Sequence, residues 1–81
     1  MAKDTEKGLH TLDVGVSGVV VSVGGSGPFR RRLLELGLVP GTPVARLGQA
    51  PLGDPMTFRV RGTVLSLRRE DAATVRVGEL S

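Results

Sequence analysis

Cysteine, tryptophan and tyrosine are absent from this 81-residue chain, which has one histidine and two phenylalanines. Without cysteine there is neither a disulfide framework nor a thiolate nucleophile, which fits a reducing compartment. A single histidine and no thiolate exclude a soft-ligand zinc or copper site. His10 has Asp13 three residues on and no neighbouring cysteine, so it reads as an ordinary surface or turn histidine rather than a catalytic base or a ligand. No stretch approaches the roughly 18 apolar residues of a membrane span. The first ten residues, MAKDTEKGLH, lack the apolar core of a secretory signal. A soluble, cytoplasmic protein is the expectation.

The length suits one small domain with a thin margin for its core. Basic residues outnumber acidic ones 11 to 8, for a net charge of +3, and the densest basic point is Arg30-Arg31-Arg32. Such a balance suits nucleic acid or an acidic protein surface and selects neither.

Along the chain, residues 1–8 read as a flexible polar leader and residues 9–80 as a single domain. His10 to Gly15 is a turn into a strand over Val16–Val23. A two-residue period places Val19, Val21 and Val23 on one face, with Val20 and Ser22 on the other. The connection Gly24-Gly25-Ser26-Gly27 lacks the Gly-Lys-Ser/Thr sequence of a phosphate loop. Pro28–Leu36 is the helix candidate, with Ser26 or Gly27 as cap and Phe29, Leu33 and Leu36 in an apolar stripe. Gly37 is placed for the left-handed residue after the last turn. Leu34 lies off the stripe, and the core claims it ahead of a partner.

Leu38-Val39-Pro40-Gly41 has the Pro-Gly pair of a turn. The strand over Thr42–Gln49 alternates imperfectly, which predicts a bulge, and Pro43 marks its start or an edge. Met56, Phe58 and Val60 share one face of the next strand, opposite Thr57, Arg59 and Arg61. Arg61-Gly62-Thr63 turns the chain into a strand with Leu65 and Leu67 inward. Arg68–Ala73 is a short helix, and Thr74–Val77 is a last strand with Val75 and Val77 inward.

About five short strands, one helix between the first two and a short one before the last predict a mainly β fold. Closure into a small barrel would remove unpaired edges. The helix positions favour an SH3-like barrel over an OB-like one.

Little catalytic chemistry remains. Asp54, Glu70 and Asp71 are the acidic groups available to a hard ion, and their spacing matches no oxygen-ligand loop. A nucleic-acid reading would use Arg46, Arg59, Arg61 and Arg76 on outward faces, but Phe29 and Phe58 both fit core positions better than stacking platforms. In the loop Ala50–Pro55, Leu52 is expected to anchor a rigid corner against the barrel. Asp54 is expected to order the turn through backbone hydrogen bonds. A binding module is what the residues leave.

Four blocks in order, LDVGVSG (12–18), RRLLELGLVPGTPV (31–44), APLGDPMTFRVRG (50–62) and LSLRREDAATVRV (65–77), resemble the FeoA family. They span nearly everything from Leu9 to Leu80. The resemblance implies a small cytoplasmic accessory protein of bacterial ferrous iron transport with an SH3-like barrel and no enzymatic activity. It implies no cofactor and, as partner, the cytoplasmic GTP-binding part of a FeoB-type membrane transporter. The membrane would be met only through that partner. Transition-metal contact is a family association that the lack of strong ligands here confines to weak, peripheral binding. Pro43 departs from the polar or β-branched residue common in that strand, and an exposed strand there would leave a weak homo-oligomer open. The interaction surface expected on this reading comprises Arg30, Arg31, Leu34, Leu52, Asp54, Arg59 and Arg61. The alternatives are a small basic-barrel nucleic-acid binder and a detached domain resembling the C-terminal part of iron-dependent repressors.

Overall fold

Six strands and three short helical elements alternate along the chain in a computed structural model that describes residues 6–79. The strands are β1 (Glu6–Gly8), β2 (Ser17–Val23), β3 (Pro43–Gln49), β4 (Met56–Val60), β5 (Thr63–Leu67) and β6 (Val75–Glu79). A 3-10 turn, Leu9–Thr11, follows β1; helix α1 (Gly27–Glu35) follows β2, and α2 (Arg69–Ala72) follows β5.

All six strands belong to one antiparallel sheet in the order β1-β6-β2-β3-β4-β5. The expected closure into an SH3-like barrel does not occur, because β1 pairs only with β6 and β5 only with β4 among the described residues. The sheet is open and keeps two edges, while α2 packs against the 3-10 turn. The additional strand, β1, falls within the segment read as leader; residues 1–5 of that segment lie outside the described residues.

β4 and β5 follow the alternation closely. Met56, Phe58 and Val60 are buried opposite Leu67, Leu65 and Thr63, with Arg59 and Val64 paired on the outer face. Between them Arg61 (φ 53°) and Gly62 (φ 78°) form the two-residue turn, both left-handed as a type I′ hairpin requires. In β2 the expected face is overturned. A bulge at Val21 separates the Val20↔Val77 pair from Ser22↔Arg76, so the parity of the strand switches midway. Val20 and Val23 are buried, and Val21 is exposed.

β3 carries the predicted bulge, at Leu47, between the pairs Arg46↔Phe58 and Gly48↔Thr57. Pro43 is the first residue of a strand flanked on both sides by β2 and β4, so it marks a start and not an edge. Arg46, expected on an outward face, is instead 6% exposed. The two-residue period from Val44 turns it inward, and its donors are satisfied there. Nη1 donates to the Leu12 carbonyl at 2.6 Å, Nε to the Gly48 carbonyl at 3.1 Å, and Nη2 to Gln49 Oε1.

Helix α1 has Ser26 as its N-cap, without a side-chain cap bond, and packs Leu33 into the core. Its end is a Schellman motif: the Gly37 N–H donates to the Leu34 carbonyl and the Leu38 N–H to the Leu33 carbonyl. Gly37, at φ 107°, is the left-handed residue the sequence predicts. Leu38, fully buried, then leads into a Val39–Thr42 turn with Gly41 at φ 94°. Leu34 packs, partly buried, against the core.

Candidate functional site

The loop Ala50–Pro55 is built as a closed platform. The Ala50 N–H donates to the Pro55 carbonyl at 2.9 Å, and the Gly53 N–H to the Ala50 carbonyl at 2.8 Å. Proline at the first corner and glycine at the close suit this turn. Contrary to expectation, the Asp54 carboxylate does not order its own turn; Oδ1 accepts the Arg69 N–H at 2.8 Å and ties the loop to the start of α2. Leu52 does not anchor the corner. It stands at the apex of the turn, 97% exposed.

The other expected contact residues divide. Arg30 Nε donates to the Val23 carbonyl at 3.0 Å, which fastens α1 to the end of β2. Leu34 faces the core. Arg31 is exposed on α1, and Arg59 lies on the outer face of β4 opposite Val64. Arg61 projects from the hairpin toward the end of α1, where a Cβ on Gly37 would stand 3.9 Å from its Cδ. The seven residues therefore form no single cluster: the Ala50–Pro55 loop leads into β4 and the Arg61-Gly62 turn leaves it, so Leu52 and Arg61 lie toward opposite ends of that strand.

A groove that the sequence reading does not identify opens between α1 and the junction of β5 with α2. It encloses about 420 Å³ and has an apolar floor of Phe29, Leu33, Leu36, Pro55 and Leu67. Arg32, Arg68, Ser66 and Asp71 form its polar rim. Its residues come from three separated stretches, so no local motif marks it. The only signal is that Phe29 and Leu36, both in the helix stripe, each remain 37% exposed.

Of the nine arginines, Arg30, Arg46 and Arg76 are engaged by carbonyls, Gln49 or Glu6. The guanidiniums of the other six, Arg31, Arg32, Arg59, Arg61, Arg68 and Arg69, make no hydrogen bond or ion pair among the described residues. Unspent charge of this kind steers association with an acidic surface. No group of three or more His, Asp or Glu side chains among the described residues is placed to hold a metal ion. No helix among them is long and apolar enough to cross a membrane.

The chain is 44% identical over 73 residues to a Porphyromonas gingivalis protein described as a fusion of Fe(2+) transport protein A with the Fe(2+) transporter FeoB. That match covers 90% of this chain and 9% of the fusion protein. Among solved structures, a FeoA-like protein from Clostridium acetobutylicum superposes with a TM-score of 0.87 at 32% identity, covering 98% of this chain and 92% of that one. FeoA of Stenotrophomonas maltophilia, solved in complex with zinc, gives 0.76 at 35% identity, covering 86% and 87%. A manganese-dependent transcriptional repressor gives 0.83 at 15% identity over 99% of this chain and 45% of its own, a likeness of fold alone. The FeoA domain model matches residues 7–79. The chain belongs to the FeoA family, whose members are non-catalytic accessory proteins.

Proposed function

We propose that this chain is an interaction module that supports or regulates ferrous iron uptake by binding the cytoplasmic GTP-binding part of a FeoB-type transporter. The observation that carries the reading is the fused relative, in which a segment like this one shares a polypeptide with the transporter. Covalent linkage replaces a binding equilibrium with a high effective concentration, and it is productive only where the two parts work together. The contact residues on this reading are Arg31, Arg59 and Arg61 on α1, β4 and its hairpin, with Leu52 on the separate loop platform. Arg30, Asp54 and Leu34 hold these parts in position. Rigid display lowers the ordering cost of binding, and arginines are enriched among the residues that carry binding energy.

The test is titration of the isolated cytoplasmic domain of the cognate transporter with the wild-type chain, Leu52→Asp and Arg31→Glu. Saturable binding by wild type, weakened by both substitutions, supports the reading. Binding of wild type neither to that domain nor to the intact transporter in membranes overturns it.

A further inference from the structure

The two edges of the open sheet are unlike. β1 is three residues long, and its charged side chains are engaged: Lys7 Nζ lies 2.7 Å from Glu79 Oε1, and Arg76 Nε 4.0 Å from Glu6 Oε1. The hydrogen bond that Lys7 donates to Glu79 raises the pKa of Lys7, against an opposing effect of burial. Charged side chains and shortness are the usual protection of an edge. β5, Thr-Val-Leu-Ser-Leu, is five residues long and has no charge, proline or bulge.

The hairpin fixes which backbone groups of β5 are free. A two-residue turn makes Val60 and Thr63 the closing hydrogen-bonded pair, so Leu65 and Leu67 are also turned toward β4. Val64 and Ser66 consequently direct their N–H and C=O groups away from the sheet, and these have no backbone partner among the described residues. Ser66 also lines the groove, which continues through Leu67 and Arg68 to Asp71 on one side and Phe29, Leu33 and Leu36 on the other. Unsatisfied strand groups and an apolar cleft thus share one border. Arg32 and Arg68, which make no ion pair among the described residues, stand on its rim, with Arg69 immediately after.

We infer that β5 and this groove form a peptide-docking site that accepts an extended, acidic segment of a partner protein as an additional strand. The segment's backbone pairs with Val64 and Ser66. One of its apolar side chains enters the groove, and its carboxylates meet Arg32 and Arg68. Strand addition takes affinity from main-chain hydrogen bonds and specificity from pockets beside the edge, and both parts are present here. The cleft volume falls within the roughly 300–1,000 Å³ of ordinary ligand pockets. The inference rests on the reading of the chain as an interaction module, not on the transporter as the partner.

A random dodecapeptide display library selected against the full chain tests it. Enrichment of peptides with aspartate or glutamate flanking an apolar residue is expected, and the Arg32→Glu/Arg68→Glu variant should lose them by tenfold or more. The selected peptide should perturb the amide resonances of Val64 and Ser66 and slow their hydrogen exchange. N-methylation of the peptide at alternate backbone nitrogens should abolish binding in one of the two registers. No enrichment over the double variant, enrichment of basic peptides, or equal binding of both N-methylated series would overturn the inference. Self-association of the chain through β5, seen as amide protection without peptide, would also overturn it. Transporter binding is measured separately, so failure here leaves that reading intact.

Discussion

Arg46 on β3 and Leu12, thirty-four residues before it, are joined by a buried hydrogen bond of 2.6 Å from Nη1 to the Leu12 carbonyl. The bond fastens the segment preceding β2 to the middle of the sheet. Truncation to methionine keeps much of the volume but leaves the carbonyls of Leu12 and Gly48 without this donor. An unsatisfied buried polar group costs about 1–3 kcal/mol. Arg46→Met is therefore expected to lower the urea unfolding free energy by about that amount. An unfolding midpoint equal to wild type would show that the clamp contributes nothing.

Arg61 occupies a left-handed position at φ 53° that glycine or asparagine fills with less strain. Its replacement by asparagine should raise stability by about 0.5–1 kcal/mol, read as an upward shift of the denaturation midpoint. The same substitution removes a charge from the proposed contact residues and should weaken transporter binding. A stabilised variant that binds less well would show a contact role at this turn, because a merely structural role would not lower binding while raising stability.

Gly37 closes α1 with its left-handed backbone, and a Cβ placed there would stand 3.1 Å from Val60 Cγ1. Strain and close approach act in the same direction. Gly37→Ala should cost about 1 kcal/mol or more. Thermal denaturation measures it, and no loss of Tm would mean that the turn relaxes freely.

The six unengaged guanidiniums make association with an acidic partner salt-dependent. Raising ionic strength from about 0.01 M to 0.15 M shortens the screening length from about 30 Å to about 8 Å. The association rate with the transporter's cytoplasmic domain should fall over that range, while the dissociation rate changes less. A salt-independent association rate would remove the arginines from the account.

What could be read from sequence depended on how each feature is encoded. The β4–β5 hairpin was legible because a clean two-residue period flanks a short Arg-Gly turn. The end of α1 was legible because Gly37 and Pro40-Gly41 each require a particular backbone shape. The inner face of β2 was not. Val19-Val20-Val21 is apolar in either parity, so the bulge at Val21 left no trace in the pattern. Arg46 was misplaced because charge ordinarily marks a solvent face, and here the distant Leu12 carbonyl and two acceptors farther along β3, Gly48 and Gln49, engage it. Barrel closure was expected because edges are costly, but whether β5 meets β1 depends on long-range geometry. The groove shares that origin, since its lining joins α1, Pro55 and the residues around Arg68. Leu52 between a proline and a glycine gave no sign of pointing outward.

The central claim, that this chain acts by binding a ferrous iron transporter, is tested most directly at Leu52. Its side chain is 97% exposed, so Leu52→Asp should leave the unfolding midpoint unchanged. Calorimetric titration of the transporter's cytoplasmic domain should show saturable binding by wild type and at least about tenfold weaker binding by the variant, the loss expected of an interface anchor. Equal affinity of the two chains would contradict the assigned surface. Absence of binding by wild type, to this domain and to the intact transporter, would contradict the function.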